Sequence, residues 1–291
     1  MFTPNFLIME SNKNQTYVIE YLQKIWALKE ESRILAKNER FSTNDVRQVY
    51  FNQIMNAISN FYLGILIPYF IKKLDAPFKD GVLRKYFQYA EENNQFANLG
   101  FVCEDNFLKT WHDLKKVDIV YNLWVIFEDA IDIIYNKITN EADRNIYQYG
   151  NYNKIKNIIE AKLNEEELKI IKEKLQSQYI GINNKYNYIF NSLIIDNDKK
   201  NKIHEFRSFL EFFNFLRNTL HTNSRSMKDI EFKTAIGTFK FEKNIHIDFF
   251  TLDTLYSSIK YFIEILCVVR DNLSYEGEII NTATTISNKY L

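Results

Sequence analysis

Glycine, proline and cysteine are all scarce in this chain of 291 residues, which has only 7 Gly, 3 Pro and 2 Cys. Few positions can therefore adopt a positive φ or interrupt a helix, and this favours long helices joined by short polar loops over a turn-rich β architecture. The two cysteines, Cys103 and Cys267, have apolar sequence neighbours and lack the spacing of metal ligands. They fit buried thiols of a reducing compartment better than a disulfide framework.

The chain also has no net charge, because its 37 Lys and Arg residues balance its 37 Asp and Glu residues. A protein that coats nucleic acid without sequence specificity is usually basic, so this balance argues against that role while leaving room for a small catalytic contact with RNA. The N-terminus has no basic region followed by a long apolar stretch, and the longest apolar run, residues 61–71, is about half a membrane span. We therefore expect a cytoplasmic protein that makes no membrane contact.

Apolar residues recur at helical spacing along most of the chain, which predicts an all-α helical bundle. A polar stretch at 139–153 is the best candidate for an internal boundary. It would separate an N-terminal helical region (1–140) from a C-terminal one (141–291), although the two could form one continuous domain. The predicted helices are 16–37, 44–73, 82–92, 105–115, 117–138, 155–176, 186–195, 203–221 and 252–273.

One segment departs from the helical pattern. Apolar and polar residues alternate between about Phe232 and Phe249, around and beyond Gly237. Alternation of this kind is typical of strands with one buried face. It predicts a single small β-hairpin in the C-terminal part of the bundle.

The predicted helix at 203–221 contains the residues best suited to chemistry. Its apolar stripe ends where the next position is Arg217, and His221 follows one turn later on the same side. A guanidinium in such a place is costly unless it is paired or faces a cleft or partner. Alternatively, Arg217 extends into solvent and His221 interacts with the helix dipole, as in a purely structural helical protein. The stripe comprises Ile203, Phe206, Leu210 and Phe213.

The sequence FLRNTLHTNS at this site resembles the signature of the HEPN superfamily, all-helical bundles that include RNA-cleaving toxins and antiviral effectors. That signature is an Arg, commonly a polar residue such as Asn, and a His after four to six intervening residues. Arg217, Asn218 and His221 match in type, order and location, with three residues between Arg217 and His221. The resemblance implies an endoribonuclease of bacterial antiviral defence or of a toxin system. The alternative is a catalytically inactive HEPN-like module that binds a protein or RNA partner in a defence assembly.

The resemblance also implies a mechanism in which two protomers bring two motifs into one cleft, without a metal or other cofactor. His221 would serve as general acid or base in attack of the ribose 2′-OH. Arg217 would stabilise charge on the scissile phosphate, and Asn218 would orient the phosphate or the nearby backbone. The implied partners are an RNA substrate, a second copy of the chain, and a protein regulator such as an antitoxin.

Carboxylates and the other histidines are weaker candidates. Glu128 and Asp132 are four residues apart on one predicted helix, which also carries Asp129. A di-iron site would need a second helix with a Glu-x-x-His motif, which the sequence lacks, so we do not expect such a site. Glu128 is instead a candidate partner that would hold the orientation of Arg217, and the alternative is a solvated helix face. Surface positions are expected for His112, His204 and His246.

Overall fold

The chain is mostly helical, with one two-stranded antiparallel hairpin in the C-terminal part of the residues that the structure describes. The predicted fold class is thus confirmed. This computed structural model describes residues 13–73, 105–144, 160, 162–176, 180–221, 225–245 and 251–280. The predicted helix at 82–92 and Cys103 lie outside these ranges. The elements are α1 (Lys13–Leu35), α2 (Val46–Lys73), α3 (Asp105–Ile138), α4 (Glu165–Gln176), α5 (Ile182–Asn191), α6 (Asn197–His221), β1 (Ile230–Thr234), β2 (Gly237–Phe241) and α7 (Leu252–Asn272).

The centre of the core lies where α3, α6 and α7 meet around Phe262. The ring centroid of Phe262 is 5.7 Å from that of Phe127 on α3 and 5.2 Å and 4.9 Å from those of Phe209 and Phe213 on α6. All four rings are buried. Aromatic rings at such distances and inclinations stabilise a core beyond the area they remove from water. One hydrophobic core therefore joins residues from both halves of the chain.

Helix α3 is the longest element and runs unbroken from Asp105 to Ile138. The prediction of two segments, 105–115 and 117–138, is wrong. Lys115 and Lys116 at the predicted break form ion pairs one turn away along the helix, with Asp118 and Asp113. Such i,i+3 pairs stabilise a helix and let it continue through the charged stretch. None of the described helices is long and apolar enough to cross a membrane.

Helix α4 begins at Glu165, so the single helix predicted over 155–176 is wrong. The Asn164 side chain accepts a hydrogen bond from the Glu167 N–H at 2.9 Å, and the Glu167 carboxylate accepts one from the Asn164 N–H at 3.0 Å. This reciprocal capping box starts a new helix. The prediction used the spacing of Glu and Lys along the segment, and this spacing does not reveal where a helix begins. Helix α5 lies four residues earlier in the chain than the predicted 186–195. Helix α6 begins earlier than the predicted 203–221 and ends at the predicted His221.

The hairpin packs its apolar face on α6. Phe232 of β1 pairs with Phe239 of β2, and the Phe239 ring stacks on Phe212 of α6 with centroids 4.2 Å apart. The turn ends at Gly237, whose φ of 141° is accessible to glycine and strained for other residues. The second strand ends at Phe241, so the predicted extent to about Phe249 is too long. Residues 246–250, including His246, lie outside the described part.

After α7, the segment 274–280 lies against the start of α2. The buried side chains of Asp45 and Arg47 form an ion pair at 2.6 Å. Arg47 donates to the main-chain oxygens of Tyr275 at 2.8 Å and Gly277 at 2.7 Å, and the Ile279 N–H donates to Asp45 Oδ2 at 3.0 Å. We call this arrangement the C-terminal clasp. It fixes the end of the described chain to the bundle.

Candidate functional site

Arg217 lies where α6 leaves the core. The four apolar residues of the predicted stripe are all buried, none more than 4% exposed, whereas the Arg217 side chain is 36% exposed. The stripe therefore holds α6 in place, and its last position presents a guanidinium near the surface. Ile203, Phe206, Leu210 and Phe213 form the buried part.

The guanidinium of Arg217 has an ion-pair partner, but not all of its N–H groups donate hydrogen bonds. Its Nη2 atom lies 3.9 Å from Oε2 of Glu128 on α3, an ion-pair distance that is longer than a hydrogen bond. Nη1 donates to Oδ1 of the adjacent Asn218 at 3.2 Å. The Nε atom is buried and has no hydrogen-bond partner among the described residues. Arg217 thus keeps donor capacity for a further acceptor.

A polar pocket of about 250 Å³ opens beside this ion pair. Helix α3 supplies one wall, the start of α5 the second, and α6 the third. Gly181, just before α5, leaves space there, because an added Cβ would meet no atom within 4 Å. The lining residues are Glu128, Gly181, Ile182, Asn183, Asn184, Asn214 and Arg217.

Helix α5 is held against α3 by contacts next to the pocket. The Lys185 ammonium, on a side chain only 8% exposed, lies 2.8 Å from Oδ1 of Asp132. Ile182 and Tyr186 are buried on the same helix. These contacts set the distance between the first turn of α5 and Glu128.

Amide side chains connect the pocket to the predicted motif. Asn214 donates from Nδ2 to Oδ1 of Asn183 at 3.1 Å, which joins α6 to α5. Asn218 donates to Oδ1 of Asn214 at 3.5 Å. The chain of contacts therefore runs from α5 through Asn214 and Asn218 to Arg217.

The structure places the three motif residues at one end of α6. Arg217 and Asn218 are in contact, and His221 is the last residue of the helix, one turn beyond Arg217. The side chain of His221 lies outside the described part of the structure. On helical geometry, positions 217 and 221 share a face of α6.

Other candidate residues take different places. Asp132 pairs with Lys185, and Asp129 is exposed, with a pKa raised by partial burial and by the charge of Asp132. His204 is exposed as predicted, whereas the side chain of His112 lies outside the described residues.

Partial burial raises the pKa of Cys267 to about 11, which makes its thiol a poor nucleophile. The described residues contain no group of three or more His, Cys, Asp or Glu that could hold a metal ion.

The pocket residues Asn183, Asn184 and Asn214 were missed by sequence reasoning. Asn214 lies three residues before Arg217, so helical spacing could have placed it on a neighbouring position of α6. Asn183 and Asn184 come from another helix, and no local pattern connects them to Arg217. Their proximity results from the packing of α5 between α3 and α6.

Comparisons with protein-family models, with curated proteins and with solved structures find no match. The site combines a guanidinium and a carboxylate with three amide side chains and the end of a helix that bears a histidine.

Proposed function

We propose that this chain is a metal-independent endoribonuclease of the HEPN type, acting in bacterial antiviral defence or as a toxin. The observation that carries the proposal is the placement of Arg217. A guanidinium with an unpaired, buried Nε borders a polar pocket, one helical turn before His221. Planar guanidinium donors suit phosphate oxygens, and a histidine can transfer protons near neutral pH.

In the proposed reaction, the ribose 2′ oxygen attacks the adjacent phosphorus. The 2′-O–P bond forms as the P–O5′ bond breaks, which leaves a 2′,3′-cyclic phosphate and a 5′-hydroxyl. A histidine accepts the 2′-OH proton and a second one protonates the leaving 5′ oxygen. Arg217 stabilises the charge that develops on the phosphate oxygens, with Asn218 holding its orientation.

The need for both a proton acceptor and a proton donor leads us to propose a homodimer. Each chain contributes one His221, so a two-fold axis beside the end of α6 would supply both groups in one cleft. Light scattering should then report a dimer at micromolar concentration. A strict monomer that still cleaves RNA would contradict this part of the proposal.

The test is cleavage of single-stranded RNA by the purified protein in the presence of EDTA. Arg217→Ala and His221→Ala should each lower the cleavage rate by about 10²-fold or more, with the helical circular dichroism signal retained. The same α6 offers matched controls. Arg207 also has a buried Nε without a partner, and His204 is an exposed histidine, so Arg207→Ala and His204→Ala should cleave like the wild type.

The Arg217–Glu128 ion pair favours a second candidate, a catalytically inactive HEPN-like module that binds a protein or RNA partner. In that role the carboxylate neutralises the guanidinium, and the short spacing to His221 is of no consequence. A wild-type protein that leaves diverse RNAs intact in every oligomeric state would support this candidate. If the Arg217→Ala variant still binds the partner, the ion pair has only a structural role.

A further inference from the structure

We infer that the pocket between α3, α5 and α6 is a guanine-binding subsite. The proposal that the guanine belongs to an RNA substrate rests on the proposed function. Binding of a free guanine nucleotide does not depend on it. In RNA, the bound base would belong to a nucleotide next to the phosphate held by Arg217. The subsite would give the enzyme a sequence preference.

The charges that line the pocket disfavour an anionic ligand. The pocket is lined by one guanidinium and one carboxylate, Arg217 and Glu128, with three amides between them. A phosphate inside it would meet the Glu128 carboxylate, and repulsion between like charges would oppose its binding. A neutral, polar ligand with both donors and acceptors matches the lining. The pocket volume, about 250 Å³, suits one planar ring system better than a longer piece of nucleic acid.

The Glu128 carboxylate can accept hydrogen bonds from a ligand. Its side chain is 22% exposed, and its one described partner is the Arg217 guanidinium at 3.9 Å, so both carboxylate oxygens can accept hydrogen bonds. Among the four RNA bases, only guanine offers two adjacent donors, N1–H and the N2 amine. Adenine and cytosine place a ring nitrogen acceptor beside their amine, and uracil places its N3–H between two carbonyl oxygens. A carboxylate therefore forms a bidentate, charge-assisted contact with guanine alone.

Donor groups in the pocket match the opposite edge of the base. Because the oxygen of Asn183 accepts from Asn214, its amide nitrogen is left to donate. The guanidinium of Arg217, which also lines the pocket, is a further donor group. Guanine carries acceptors at O6 and N7, so donors from α5 and α6 can face them while Glu128 holds the N1 and N2 edge.

Direct binding tests the subsite without cleavage. Titration of the full-length protein by NMR or calorimetry should show 3′-GMP bound about tenfold or more tightly than 3′-AMP and 3′-IMP, since inosine lacks the N2 amine. Glu128→Gln should remove this preference. Asp129→Asn, one residue along α3 and outside the pocket, should retain it, and Asn183→Ala should weaken 3′-GMP binding in a second, independent way. Equal binding of the three nucleotides to wild-type protein would overturn the inference.

Cleavage separates failure of the subsite from failure of the proposed function. Wild type should cut an RNA with a single G next to that base, and replacement of G by inosine should slow the cut about tenfold. Cleavage with no base preference would contradict the guanine subsite and would still support the proposed ribonuclease activity. Guanine-selective binding that depends on Glu128, in a protein that cuts no RNA, would support the subsite and contradict the ribonuclease.

Discussion

The carboxylate of Glu128 lies 3.9 Å from the guanidinium of Arg217, so α3 and α6 meet in an ion pair at the rim of the polar pocket. The distance is short enough for charge compensation and too long for a hydrogen bond. Each group therefore keeps capacity to bind something else. This property separates the pair from the buried pair of the C-terminal clasp, where almost every donor and acceptor is used.

Loss of the Glu128–Arg217 pair should have little effect on stability. The two side chains are 22% and 36% exposed, and exposed pairs contribute about 0–1 kcal/mol. Glu128→Gln should thus change the free energy of unfolding by less than about 1 kcal/mol. Urea denaturation followed by circular dichroism measures this change. A loss several times larger would mean that the pair is structural.

The C-terminal clasp should behave in the opposite way. Arg47→Ala leaves the buried Asp45 carboxylate without its counter-ion and two carbonyl oxygens without donors, so we expect a loss of about 3–5 kcal/mol in the free energy of unfolding. Urea denaturation measures the loss, and limited proteolysis should show earlier cleavage within 274–280. Arg33→Ala, which breaks an exposed pair with Glu30 on α1, is the matched control and should be nearly neutral. Equal effects of the two variants would contradict this account of the clasp.

The clasp should also depend on pH. Burial opposes ionisation of Asp45, but hydrogen bonds from Arg47 and from the Ile279 N–H outweigh it, and its pKa lies below the ordinary 3.8. A depressed pKa contributes stability above the unfolded value, and that contribution is lost as pH falls through the folded value. The difference in unfolding free energy between wild type and Asp45→Asn should therefore narrow below about pH 4. A difference that stays constant from neutral to acidic pH would show that ionisation of Asp45 is not involved.

The thiol of Cys267 should resist alkylation in the folded protein. Burial raises its pKa from 9.0 to about 11, so the reactive thiolate is about a hundredfold rarer at pH 8 than in the unfolded chain. In a Cys103→Ser background, iodoacetamide should label folded protein correspondingly more slowly than urea-unfolded protein. Mass spectrometry after timed quenching gives both rates. Similar rates would place the thiol in contact with solvent.

The sequence was sufficient where local periodicity decides the structure. The core side of α3 and the stripe of α6 follow from the spacing of apolar residues, and Arg217 stands out because it interrupts that spacing. The single hairpin was also predicted, since alternation around Gly237 differs from helical spacing. The predicted ends were less accurate. Helix α4 begins at the Asn164–Glu167 capping box, and β2 ends at Phe241, before the predicted end of the hairpin.

Features that depend on long-range packing could not be predicted. The C-terminal clasp joins Asp45 and Arg47 to a segment more than 200 residues away, and no short pattern reports such a contact. The pocket depends on α5 lying between α3 and α6, which brings Asn183 to Asn214. A sequence read one helix at a time can nominate Glu128 as a partner for Arg217. It cannot show that three asparagines line the pocket beside this pair.

The chemical groups at the product ends distinguish attack by the ribose 2′-OH from other routes of RNA cleavage. A labelled single-stranded RNA is incubated with wild-type protein and with His221→Ala in EDTA, and the products are analysed by mass spectrometry. The account predicts 2′,3′-cyclic phosphate and 5′-hydroxyl ends with wild type, almost none with His221→Ala, and no cleavage of the matching DNA, which lacks the 2′-OH. Products with 3′-hydroxyl and 5′-phosphate ends, or equal cleavage by the two proteins, would contradict it.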